Sequence, residues 1–211
     1  MKNPFKLSVL VLALLLPAVA TAEDVYDFDV DGIYYKILEN GDEVCVTYKT
    51  YRIISHTEYF ENDYTGDITI PATVTFNGKS FLVTEISDHA FYRNRSVTSV
   101  TIPASITAIN TCAFYYCTEL KTVTCLATMP PEIYYSDAFG GVYYQATLHV
   151  PKGYKLRYSK HTYWKDFSTI IDDADVDGPT GDDDYLKCDV NGDGVVNIAD
   201  VNKVIATILT H

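Results

Sequence analysis

Part of this chain repeats itself every 23 residues, and a unit that short cannot enclose a core of its own. Glu85-Ile86-Ser87-Asp88-His89-Ala90-Phe91-Tyr92 returns as Ala108-Ile109-Asn110-Thr111-Cys112-Ala113-Phe114-Tyr115. At the same offset, Val97-Thr98-Ser99-Val100-Thr101-Ile102 returns as Leu120-Lys121-Thr122-Val123-Thr124-Cys125. A third copy, 25 residues on, keeps Ala138-Phe139 and Leu148-His149-Val150-Pro151. Ile68-Thr69-Ile70-Pro71 reads as an earlier strand of the same kind, followed by a hairpin-like insert around Asn77-Gly78. A period in the twenties means stacked coils sharing one continuous core. Val100, Ile102, Ile106, Ile109, Ala113, Phe114 and Leu120 are expected to point inward. Pro103 falls just past a strand end, where a missing N–H costs little.

The pattern V-T-I-P-x-x-I-x-x-I-x-x-x-A-F-x-x-C-x-x-L, from Val100 to Leu120 with Cys117 as its C, resembles the BspA-type leucine-rich repeats of bacterial surface proteins. Asn94 stands where Cys117 aligns. The resemblance implies a mainly β leucine-rich-repeat solenoid with parallel strands over residues 67–171. The run from Leu148 through Trp164 to Phe167 looks like its terminal cap.

Residues 23–66 read as a β-rich N-terminal cap. Ile33–Leu38 and Glu43–Tyr48 flank Asn40-Gly41, a pair suited to a two-residue hairpin turn because both tolerate φ > 0. Residues 1–22 read as a secretory signal peptide. Lys2 and Lys6 precede an uncharged run from Leu7 to Ala20, and Ala20-Thr21-Ala22 gives small residues at the cleavage point. That run is shorter than the roughly 20 apolar residues of a membrane-spanning helix, and no later stretch is suited to cross a bilayer, so no span is expected in the mature chain. Losing Lys2 and Lys6 takes the formal net charge from -12 to about -14. Nucleic acid is excluded as a partner, because neutralising phosphates needs clustered Lys and Arg.

Residues 172–186 read as an acidic linker, with seven Asp among positions 172–184. Residues 187–211 carry the one motif with explicit chemistry. Asp189 to Asp200 is a twelve-residue loop with side-chain oxygens at Asp189, Asn191, Asp193, Asn197 and Asp200. Gly194 sits at the sharp turn and Val195 offers its backbone carbonyl. This is the ligand set of a Ca2+ site. Val201, Val204, Ile205, Ile208 and Leu209 then follow helical spacing, giving a small α calcium loop-helix at the C-terminus. With Asp200 in the last position and no helix-forming segment before the loop, the segment closely resembles one repeat of a type I dockerin. That resemblance implies a cohesin-like or other surface protein as partner, often within polysaccharide-degrading assemblies. Because only one repeat is present, self-pairing through this half-dockerin is a further option.

No H-E-x-x-H, G-x-S-x-G or phosphate-cradling glycine loop occurs, and the five His are scattered one per segment. The expectation is therefore a non-catalytic protein. Eighteen tyrosines against one tryptophan are notable. Tyr92, Tyr115 and Tyr116 follow the Ala-Phe pairs, either wedging between coils or forming a stripe that binds a protein or glycan. The five cysteines show no paired spacing and read mostly as small buried hydrophobes. Together these features predict an exported recognition or adhesion protein. The alternatives are an accessory cohesin-docking component of a polysaccharide-degrading assembly, and a hydrolase with unrecognised carboxylates.

Overall fold

The structure, a computed structural model, describes residues 23–54, 56–174 and 201–203. The segment read as a signal peptide, most of that read as an acidic linker and the loop read as a calcium site lie outside these. The N-terminal region forms β1 (Glu23–Asp24), β2 (Phe28–Val30), β3 (Ile33–Ile37), β4 (Glu43–Thr47), β5 (Thr50–Ile54) and β6 (Thr57–Glu61). β2 and β3 pair antiparallel around Asp31-Gly32, whose φ values of 52° and 79° suit a type I′ turn. β3 and β4 also pair antiparallel, but Asn40-Gly41 does not form the two-residue turn expected there. Gly41 alone takes positive φ, at 75°. Asn40 Oδ1 instead accepts the N–H groups of Asp42 and Glu43, at 3.1 Å each, and holds a longer loop.

The repeats supply β7 (Gly66–Thr69), β8 (Thr73–Phe76), β9 (Lys79–Ile86), β10 (Val97–Ile102), β11 (Ala108–Ile109), β12 (Thr122–Cys125), β13 (Glu132–Ile133), β14 (Thr147–Pro151) and β15 (Thr169–Ala174). β7, β10, β12, β14 and β15 lie side by side in one all-parallel sheet. β4, β9, β11 and β13 run parallel in a second sheet, extended by β3 and β2. β8 is the expected insert, a hairpin on β9 turned by Asn77-Gly78 with φ of 50° and 79°. The cap is therefore continuous with the solenoid, since β4 pairs directly with β9.

Register follows the repeat. Val100 pairs with Val123 and Val123 with Leu148, which reproduces the offsets of 23 and 25. All seven residues expected inside the solenoid are buried. Phe91, Phe114 and Phe139 form a ladder along the core, with rings 4.7 and 4.8 Å apart and tilted by 10° and 7°. That spacing is the distance between neighbouring strands, so the stack copies the coil repeat. Tyr64 closes the ladder at one end, 4.4 Å from Phe91. Trp164 and Phe167 close the other, 5.5 and 5.2 Å from Phe139.

The terminal cap holds a short helix, α1 (Lys155–Lys160), and a 3-10 turn, Trp164–Asp166. The Trp164 indole donates to the Pro131 carbonyl at 2.8 Å, and the Tyr158 hydroxyl to the Ala127 carbonyl at 2.6 Å. These bonds satisfy the polar ends of two fully buried rings. β15 then adds a last parallel strand, pairing Asp172 with Val150 and Ala174 with Pro151. The solenoid thus runs three residues into the segment read as linker. Among the described residues no helix is long and apolar enough to cross a membrane.

Candidate functional site

Each coil turns a corner around its Ala-Phe pair, and residues on both sides of the pair take left-handed backbone. His89 and Cys112 take φ of 59° and 54°, while Arg93 and Tyr116 take 54° and 55°; Gly141 takes the matching place in the third coil at 83°. Such conformations are costly for most non-glycine residues. Here hydrogen bonds between coils hold them. The N–H groups of Phe91 and Arg93 donate to the carbonyls of Ala113 and Tyr115, and those of Phe114 and Tyr116 donate to Ala138 and Gly140.

This corner places the three tyrosines singled out by sequence. Tyr92 and Tyr115 lie near-parallel, with ring centroids 5.8 Å apart and planes tilted by 8°. The Tyr115 ring also meets Gly140, so closely that an added Cβ there would lie 2.5 Å from Cδ2. Tyr115 is half-buried between these two contacts. Tyr116 sits edge-on to Tyr115 at 4.6 Å and is 50% exposed. The third coil adds Tyr134, Tyr135 and Tyr144, exposed by 60%, 60% and 85%. An added Cβ at Gly141 would lie 3.8 Å from the Tyr116 Cα, so the second and third coils adjoin at this corner.

Two further members of the corner escaped the sequence reading. Phe60, from β6, lies flat on His89, with rings 3.9 Å apart and tilted by 4°. It also meets Tyr92 edge-on at 5.5 Å. His89 was legible only as the counterpart of Cys112. Nothing in the repeat period reveals Phe60, because it comes from the cap.

The first sheet presents the other regular surface. Asp67, Ser99, Thr122, Thr147 and Thr169 form one row across its five strands, and Thr69, Thr101, Thr124, His149 and Ile171 form the next. Asp67 accepts from the Thr98 and Ser99 hydroxyls at 2.8 and 2.7 Å, which lowers its pKa.

Residues 84–155 match the BspA type leucine rich repeat region (6 copies). No curated protein matches the chain. Solved structures similar to it include a leucine-rich repeat protein from Bacteroides capillosus, at 18% identity and a TM-score of 0.40, covering 70% of this chain and 98% of that one. A second, from Bacteroides ovatus, is 20% identical with a TM-score of 0.41, covering 69% of this chain and 41% of that one. A leucine rich cell surface protein from Faecalibacterium prausnitzii is 22% identical with a TM-score of 0.36, covering 63% and 27%.

In the cap and the repeats the cysteines are packing residues. Cys45, Cys112, Cys117 and Cys125 are unpaired, and all but Cys112 are buried. Burial pushes the thiols of Cys45 and Cys125 up to about 11 and that of Cys117 to about 12. Half-buried Cys112 donates to the Asp137 carboxylate at 3.2 Å. Burial and that carboxylate raise its pKa to about 12. None of the four supplies a thiolate nucleophile near neutrality.

No group of three or more His, Cys, Asp or Glu is placed to hold a metal ion among the described residues. The calcium ligands expected from sequence, Asp189, Asn191, Asp193, Val195, Asn197 and Asp200, all lie outside those residues, as does Cys188. Val201–Lys203, at the start of the expected helix, are helical.

Proposed function

We propose that this chain is an exported, non-catalytic recognition protein that docks a protein partner on its tyrosine corner and attaches elsewhere through a calcium-bound C-terminal module. The exposed set Tyr116, Tyr134, Tyr135 and Tyr144 carries the reading. Tyrosine offers large rigid contact area with only two side-chain torsions to immobilise. The inter-coil hydrogen bonds beneath Tyr116 fix its backbone before a partner arrives, which lowers the ordering cost of binding.

The calcium part rests on the loop from Asp189 to Asp200. Without metal, the carboxylates of Asp189, Asp193 and Asp200 would repel one another. Binding removes that repulsion and lets the following helix form, so binding energy becomes folding energy.

Calorimetry and circular dichroism of the full chain test this. Calcium should increase helicity in the wild type. Asp193→Ala should lose the response while the thermal midpoint of the solenoid stays where it was. Equal responses from the two proteins would remove the assigned site. For the corner, capture of a surface-fraction protein in calcium should drop at least about tenfold in the Tyr116→Ser/Tyr144→Ser double variant if these are anchor residues. Undiminished capture would move the docking surface elsewhere.

A further inference from the structure

Where the cap meets the first coil, a cleft of about 270 Å³ opens beside the corner. Arg93 and Arg95 line it together with Phe60, Tyr92, Asn62 and Asp63. These are two of the four arginines in a chain of net charge -12. Both are exposed, and neither makes an ion pair among the described residues. Acidic residues are abundant, yet none neutralises this pair.

The neighbouring groups are already committed in ways that leave the arginines free for a ligand. The Arg93 guanidinium lies 5.2 Å from the centre of the Tyr92 ring, which holds it at the cleft. Asp63, the one carboxylate in the lining, is engaged by the Lys49 ammonium and by the Tyr34 hydroxyl. The Asn62 carbonyl oxygen accepts from the Asn94 amide, which leaves the Asn62 amide N–H groups available. On the far side of Asp63–Thr65, a second cleft of about 340 Å³ has Asp31, Asp63 and Asp67 among its lining and no basic residue. The positive character is therefore confined to one side of the junction.

We propose that the Arg93/Arg95 cleft binds a carboxylate-bearing sugar residue, a uronic or sialic acid. The carboxylate engages the guanidinium pair, a geometry to which arginine's planar fork of donors is suited. The Phe60 and Tyr92 edges form an apolar wall for the C–H side of the ring, and the Asn62 amide serves a ring hydroxyl. The cleft is far larger than an isolated carboxylate requires and about the size of one pyranose. This site goes beyond the protein-docking corner. It shares Tyr92 with that corner but uses neither Tyr115 nor Tyr116.

The test uses the full chain and four soluble probes: glucuronic acid, N-acetylneuraminic acid, glucose and glucose 6-sulfate. Binding is followed by calorimetry and by ligand-observed NMR. At least one acidic sugar should bind at least tenfold more tightly than glucose, and its binding should weaken as salt is raised. The Arg93→Gln/Arg95→Gln double variant changes only exposed side chains and should keep its thermal midpoint while losing at least tenfold in affinity. Preference for the sulfated sugar, equal binding of acidic and neutral sugars, no binding of any probe at 10-fold excess over a millimolar Kd, or full retention in a folded double variant would each overturn the proposal. Calcium response and protein capture are separate readouts, so their failure is distinguishable from failure here.

Discussion

Asn94 and Cys117 occupy equivalent places in successive coils, and their different chemistry follows from their different neighbours. Cys117 faces another repeat. It is buried, and its thiol donates to the Phe91 carbonyl at 3.0 Å. Asn94 faces the irregular cap segment around Asn62 to Tyr64. Its amide donates to Asn62 Oδ1 and to the Tyr64 carbonyl at 2.5 and 2.9 Å, and its carbonyl accepts the N–H groups of Ser96 and Val97 at 2.8 Å each. Coils that meet coils satisfy each other's backbone by register, so a small apolar residue suffices. Where a coil meets something that does not repeat, a side chain must supply those bonds. The regular interior is built for burial, and both clefts and the unpaired arginines lie at the irregular junction.

The comparison breaks most visibly at the ring ladder. Phe114 is fully buried between Phe91 and Phe139. Phe114→Ala should destabilise by about 3–5 kcal/mol, because neighbours fixed by two flanking coils cannot collapse into the void. Chemical denaturation measures this, and an unchanged midpoint would mean the stacking register is wrong.

A smaller effect sharpens the contrast at the junction. Asn94→Ala strands the Tyr64 carbonyl and two N–H groups and should cost about 2 kcal/mol. Asn94→Cys, which installs the residue that the next coil uses, should not restore the loss, since a thiol cannot donate twice and accept twice. Full recovery in Asn94→Cys would show that the cap makes no special demand on this position.

Sequence legibility divides along the same line. The seven inward residues and the Asn77-Gly78 hairpin followed from period and turn pattern, because register between identical units is set by the repeat itself; the parallel strands followed from the family resemblance. The Asn40-Gly41 turn was misjudged, since the Asn40 side chain competes for the backbone. Asp31-Gly32 carried an equal turn signal and does form a tight turn. β15 was cut short because its Asp172 and Asp173 look like linker when composition alone is weighed. At the corner, Tyr92 and Tyr115 align as the period requires. Phe60 and the arginine cleft depend on contacts between non-repeating segments, which no periodicity encodes.

The smallest predicted effect concerns His89, the point where cap and corner touch. Its imidazole lies flat on Phe60 and edge-on to Tyr92, 5.1 Å away. Burial lowers its pKa, outweighing the opposing pull of Asp88, Glu58 and Asp137. His161 is lowered by burial too. A folded-state pKa below the unfolded value of about 6.5 means the native state binds fewer protons. Stability is then full above that value, falls as the pH drops through it, and reaches its reduced level below the folded pKa. The thermal midpoint should therefore decline between pH 7.5 and 5.5, a window in which ordinary carboxylates stay ionised. His89→Asn tolerates the left-handed backbone there, and it should shrink that decline without abolishing it, because His161 still contributes. An identical decline in wild type and His89→Asn would show that the ring on Phe60 is no more sheltered from protonation than one in the unfolded chain, and the cap-to-corner contact would then be looser than the stacking distance implies.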